Sequence, residues 1–248
     1  MKKQLLYILL FSVTFSANAQ ETKTEEKIPF AEPRFHYFLK TLLFFNEYLD
    51  TDAGSFNTTQ LRALVPIGNK AWNLRFDLPL ISTNTTNTNK TGIGDVGAGI
   101  TYIPYSKNNQ GIAVRARVYA NSAADPAFGS GKWVFMPAFF YGSYFCERKI
   151  LWISTLEYQR SFAGSNTRAD VNTAVLDNVL LYFFGKNWIS GDLAFRYNNT
   201  VKGYQNNAFV EFGRKITPTN LAYIHPSVAF GGDKTYNYGI EAGFLILF

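Results

Sequence analysis

Three side chains near the end of this 248-residue sequence have the types that nucleophilic chemistry requires: Ser227 as nucleophile, His225 as its base and Glu241 as the carboxylate that orients the imidazole. His225 and Ser227 are two residues apart, so a β-strand sets both on one face, and Glu241 follows on the next strand with matching parity. A second set suits electrostatic rather than covalent work. Arg62, Arg75, Arg115 and Arg117 come early in the chain with Asp77 and Asp95; Glu157, Asp192, Glu211 and Glu241 come late with Arg196. If these face one interior, it is basic on one side and acidic on the other. Two outcomes then compete: a wet lumen whose transverse field orients dipolar solutes, or a plug of ion pairs that lets nothing pass.

Other chemistry is poorly supplied. No Cys/His group has metal-ligand spacing, so neither a structural metal nor a cofactor is expected. Gly92-Ile93-Gly94-Asp95 is followed by strand-like residues rather than a helix N-terminus, and Gly129-Ser130-Gly131-Lys132 lacks P-loop spacing, so neither reads as a phosphate cradle. The formal charge of +6 is spread singly along the chain, without basic runs interleaved with aromatics, which argues against nucleic acid as a partner.

The elements that would position these residues are strands. Hydrophobic residues make up 47% and aromatics 17%, yet mean hydropathy is only −0.09, so apolar residues are diluted by polar ones throughout. Past the N-terminus no stretch approaches the roughly 20 apolar residues of a spanning helix. Alternation is the organising pattern. Tyr238, Ile240, Ala242, Phe244, Ile246 and Phe248 share one parity against Asn237, Gly239, Glu241 and Gly243; Trp72, Leu74, Phe76 and Leu78 oppose Asn73, Arg75 and Asp77; Ile112, Val114, Ala116 and Val118 oppose Ala113, Arg115 and Arg117. Short turns near Gly68-Asn69, 105–110, 146–149, 185–187 and 217–220 alternate with longer connections near 46–56, 82–92, 120–131, 162–172, 198–206 and 231–235. That rhythm predicts an all-β protein: a single antiparallel transmembrane barrel of about twelve strands with both termini on the periplasmic side. The segment 35–45 is taken as the first strand. Pro79, Pro104 and Pro218 are assigned to strand ends or turns, whereas Pro137 and Pro226 fall inside strands and call for bulges.

Lys2 and Lys3, the apolar run from Leu5 to Phe15 and the small residues Ala17-Asn18-Ala19 read as an export signal over 1–19. A polar segment follows over 20–34, and 35–248 forms the barrel. Cys146 is a lone thiol at a turn, so no disulfide holds the fold.

Trp72-Asn73-Leu74-Arg75 leading to Leu78-Pro79, then Gly92-Ile93-Gly94-Asp95-Val96, then Gly129-Ser130-Gly131-Lys132-Trp133 followed by Pro137, resemble in order and spacing the outer-membrane family named for the MetA pathway of phenol degradation. The likeness covers roughly 60–162. It departs at Asn121-Ser122-Ala123-Ala124, where the family carries a Pro-Thr pair. The resemblance implies a channel or binding barrel for small, hydrophobic or aromatic molecules. Phe248 resembles the closing aromatic that outer-membrane assembly machinery recognises, and the His225, Ser227 and Glu241 set resembles the arrangement of lipid A deacylases. The expectation is therefore a barrel in the outer membrane of a Gram-negative bacterium, in contact with lipid, that passes or binds small molecules without cofactor. A lipid hydrolase and a structural barrel with no cargo are the alternatives.

Overall fold

The computed structural model describes residues 38–68, 71–85, 88–107 and 109–248, and its secondary structure over these is entirely β. The export signal over 1–19, the polar segment over 20–34 and the start of the proposed first strand at 35–37 lie outside the described residues. The strands are β1 (Thr41–Thr51), β2 (Gly54–Ile67), β3 (Trp72–Thr83), β4 (Lys90–Ile93), β5 (Gly97–Lys107), β6 (Gln110–Tyr119) and β7 (Lys132–Phe145) in the first half. The second half adds β8 (Ile150–Gly164), β9 (Asn172–Phe184), β10 (Asn187–Asn198), β11 (Gly203–Tyr204), β12 (Asn206–Lys215), β13 (Asn220–Phe230) and β14 (Tyr238–Leu247). The short β4 extends β5 along β3, and β11 extends β12 along β10, so the staves number twelve.

Each stave pairs antiparallel with its neighbours in sequence, and β14 pairs with β1, so the barrel closes with no free edge. Closure is what a bilayer demands, because hydrocarbon offers an unpaired amide no partner. Alternate side chains divide between the two faces. On β3, Asn73, Arg75 and Asp77 are buried inward, while Trp72, Phe76 and Leu78 are exposed on the outer surface. The outward rows continue around the barrel through Phe44, Leu156, Leu180, Val210 and Ile240, all large and apolar and all exposed. Stacked Trp72–Tyr102 and Tyr182–Phe184 lie toward one rim, and Trp133–Phe162 and Tyr197–Tyr204 toward the other, forming the aromatic girdles of a membrane-spanning barrel.

Details of the connections differ from expectation. The first strand begins at Thr41 rather than 35, and its connection to β2 is a two-residue turn at Asp52-Ala53 rather than a loop over 46–56, because pairing continues out to Thr51 and Gly54. Pro137 and Pro226 are accommodated without bulges. Each keeps one paired neighbour, Ala116 and Ile240, and on the other side the ladder skips a stretch without changing register. A register shift falls instead at Ile103-Pro104, placing Pro104 inside β5, and another near Phe162. Pro79 sits inside β3, opposite the break between β4 and β5, where its carbonyl accepts from Gly94 N–H at 3.0 Å.

The turn after β7 places Cys146, Glu147 and Arg148 consecutively at φ 49, 54 and 62°, left-handed conformations that cost an L-residue roughly 1–2 kcal/mol each. Glu147→Gly is expected to stabilise the barrel by about 0.5–1 kcal/mol once the greater chain entropy of glycine is counted. Urea unfolding of the lipid-reconstituted variant checks this; a loss of stability contradicts it.

Both described ends of the chain, the start of β1 and the end of β14, lie at the rim that carries the short turns. Inside that end the barrel is filled. Leu43, Phe45, Phe140, Tyr144, Leu151, Ile153, Val179, Leu181, Trp188, Leu221, Leu245 and Leu247 belong to one contiguous apolar cluster, with Phe38 and Leu39 packed against it. Trp188 lies flat over Gly213, its cross-strand partner; a Cβ there would stand 1.9 Å from the indole, so only glycine leaves room.

Candidate functional site

Above this apolar floor the interior turns polar because the inward positions of the next layers are charged. A cavity of about 400 Å³ opens there. Its lining includes Arg62, Arg75, Arg115, Arg117, Glu157, Arg196, Glu211 and Glu241 of the residues singled out from sequence, together with His225 and Ser227. Asp77 and Asp192 are buried in the inner wall. Asp95 is placed elsewhere, at the rim.

One wall is built on carboxylates that each serve two guanidiniums. Asp77 has no exposed side-chain surface and accepts from Arg62 Nε and Arg75 Nε, both at 2.6 Å, and from Gln60 Nε2 at 2.6 Å. Glu157 is bound by Arg115 and, at 3.2 Å, by Arg117, while Gln159 donates to its other oxygen. The guanidiniums lie over rings: Arg62 over Phe45, Arg115 over Phe140 and Arg117 over Tyr119, at 4.9–5.2 Å.

The other wall is acidic. His225 stands between two glutamates, with Nδ1 3.3 Å from Glu211 and Nε2 3.7 Å from Glu241. Trp188 Nε1 donates to Glu211 at 2.6 Å, Tyr223 donates to Glu241 at 2.5 Å, and Phe209 stacks on the imidazole at 4.3 Å. Glu47 is the direct cross-strand partner of Glu241 and lines the same cavity. The loop reading of 46–56 hid Glu47 in the sequence; its parity with Leu43 and Phe45 was the available signal. Tyr223, Trp188, Asp177 and Tyr236 also line the cavity and were not singled out. Aromatic residues abound on both faces, so nothing in sequence sets the three rings apart; for Asp177 the signal is its parity with the inward Val175 and Val179.

The two glycine-rich motifs meet at the long-connection rim. Asp95 Oδ1 accepts from the amides of Ser122 and Ala123, and Oδ2 from the amide and hydroxyl of Ser130. Arg168 donates to the carbonyls of Pro126, Gly129 and Ser130, and Lys90 pairs with Asp125 at 2.9 Å. Buried Phe128 fills the space a side chain at Gly92 would need, since a Cβ there would lie 2.5 Å from its ring. Asp95→Ala removes four acceptor contacts at once and is expected to make the 120–131 loop sensitive to protease while the barrel stays folded. Unchanged cleavage kinetics contradict this.

The rim also has an acid limit. The Ala127 amide and the Lys90 ammonium hold Asp125 below the usual carboxylate range. A depressed folded-state value means that the contribution is complete above the ordinary aspartate pKa of about 4 and is lost as pH falls through the lowered one. Loop protection measured by hydrogen exchange is therefore expected to hold at pH 5 and to fail only in stronger acid. Loss of protection between pH 7 and 5 contradicts that assignment.

A closed twelve-stave antiparallel barrel with an apolar outer belt and a charged interior has the fold of a transmembrane β-barrel. An outer membrane channel from Pseudomonas putida F1 is similar, with a TM-score of 0.71 at 12% identity over 85% of this chain and 96% of that one. The NanC porin (TM-score 0.63, 12% identity, 83% and 98%) and the KdgM porin (0.60, 11%, 84% and 99%) share the architecture. At such identities the likeness is one of fold. No family model matches the sequence, and no curated protein matches it.

Proposed function

We propose that this protein lies in the outer membrane of a Gram-negative bacterium, takes small charged solutes into its lumen from the long-connection rim, and passes them by diffusion when the apolar floor parts. The cavity carries this reading: a void of about 400 Å³ with ionised walls holds solvent or a polar guest, since empty cavities are apolar. The ion pairs form within each wall, some lining charges stay outside them, and space is left between the walls, which disfavours a fully ion-paired plug or a barrel without cargo. The lining also favours polar solutes over the hydrophobic or aromatic ones that the motif resemblance implies.

Hydrolysis fits the geometry poorly. Both ring nitrogens of His225 point at carboxylates, which leaves none directed at Ser227, and all three side chains face the lumen rather than lipid. Delivery to the membrane through recognition of Phe248, whose side chain is exposed, belongs to the same proposal. Planar-bilayer recording of the purified full chain is expected to give small, brief conductance steps. No conductance, together with no solute flux into liposomes, overturns the channel reading.

A further inference from the structure

The two walls carry surplus charge of opposite sign. Four arginines, Arg62, Arg75, Arg115 and Arg117, share two carboxylates, Asp77 and Glu157, and the Nε atoms of Arg115 and Arg117 are buried without a hydrogen-bond partner. Opposite them stand Glu47 and Glu241 as cross-strand neighbours, with Glu211 beyond His225. No hydrogen bond or ion pair ties Glu47 to a described residue. Its carboxyl group lines the cavity beside that of Glu241, and two adjacent carboxyl groups disfavour an anion and favour a cation that neutralises them. Phe45 and Phe140 on the floor and Phe209 and Tyr223 on the acidic wall supply ring faces between the two poles.

We infer that the lumen cavity is a binding site for small zwitterions, with the anionic end on Arg115 and Arg117 and the ammonium end on Glu47 and Glu241. This deepens the proposed solute role and rests on it. A solute of single sign gains at one wall and is repelled at the other, whereas a molecule carrying both charges gains at each. The volume lies near the lower end of the range for small-molecule sites, about 300–1,000 Å³. The aliphatic stretch between the charges rests on the apolar floor.

The test compares three probes of matched length, 6-aminohexanoate, hexanoate and hexylammonium, by isothermal titration calorimetry on the purified full chain in detergent. The zwitterion is expected to bind about tenfold tighter than either singly charged probe, the gain of one further charge-assisted contact. Glu47→Gln is expected to weaken 6-aminohexanoate and hexylammonium about tenfold and to leave or improve hexanoate; Arg117→Gln does the reverse. Glu47 makes no hydrogen bond or close ion pair with a described residue, so its variant is expected to fold, and retained heat-modifiable mobility on gels checks that. Equal or tighter binding of a singly charged probe, or no effect of Glu47→Gln, overturns the inference. Conductance separates the two levels. A barrel that conducts but shows no zwitterion preference keeps its channel role and loses this site, and one that binds the zwitterion without conducting does the opposite.

Discussion

Phe140→Ala combined with Trp188→Ala is expected to raise single-channel conductance severalfold and to lengthen the open state. Both side chains are almost fully buried in the apolar cluster that closes the short-turn end, and both border the charged cavity above. Removing two large rings from a packed interior leaves a void that its neighbours fill only in part. In a soluble core such a void stays dry; here it adjoins a wet cavity on one side and bulk solvent on the other, so it becomes a path for water. Each truncation costs about 3–5 kcal/mol of stability, so the comparison is made on single inserted barrels rather than on bulk preparations. Trp188 also donates to Glu211, so its loss removes one donor from that carboxylate while His225 stays 3.3 Å away. Unchanged conductance in barrels shown to be folded places the constriction elsewhere.

The second large effect concerns stability. Asp77→Ala removes one carboxylate from beneath two guanidiniums and a carboxamide, all at 2.6 Å, at a position with no exposed side-chain surface. Breaking a buried pair from one side strands the other charge, so a loss of about 3–5 kcal/mol is expected. Urea unfolding in lipid vesicles measures it. Asp77→Asn keeps the shape and one acceptor oxygen, so it is expected to cost less. A change in the Ala variant within about 0.5 kcal/mol, the range of an ordinary surface substitution, contradicts the role given to Asp77.

Period-two alternation made the barrel legible because lipid and lumen impose opposite polarities on successive residues. It works best where the rule is obeyed, as on β3 and β6, where arginines alternate with large apolar residues. It failed where inward residues are themselves apolar. Leu151 and Ile153 on β8, and Val179 and Leu181 on β9, face inward into the floor, while Leu180 on the same run faces out. Such stretches look apolar on both faces, so alternation alone does not reveal the plug they form. The loop from 120 to 131 was placed correctly, yet its tie to Asp95 spans 27–35 residues and depends on loop geometry that no local pattern encodes. His225, Glu211 and Glu241 were each visible as inward polar residues; the register that sets His225 opposite Glu241 is a property of the paired strands.

The central claim is a solvent-filled, charged chamber reached from the long-connection rim and sealed below by side chains. Cysteine accessibility in oriented vesicles tests it, using Thr155→Cys and Ser227→Cys, one at a time, in a Cys146→Ser background with a membrane-impermeant thiol reagent. Both positions are expected to react when reagent is added on the long-connection side and to stay protected from the short-turn side until Phe140 and Trp188 are truncated. Equal reaction from both sides of the intact barrel, or none from either, contradicts the account.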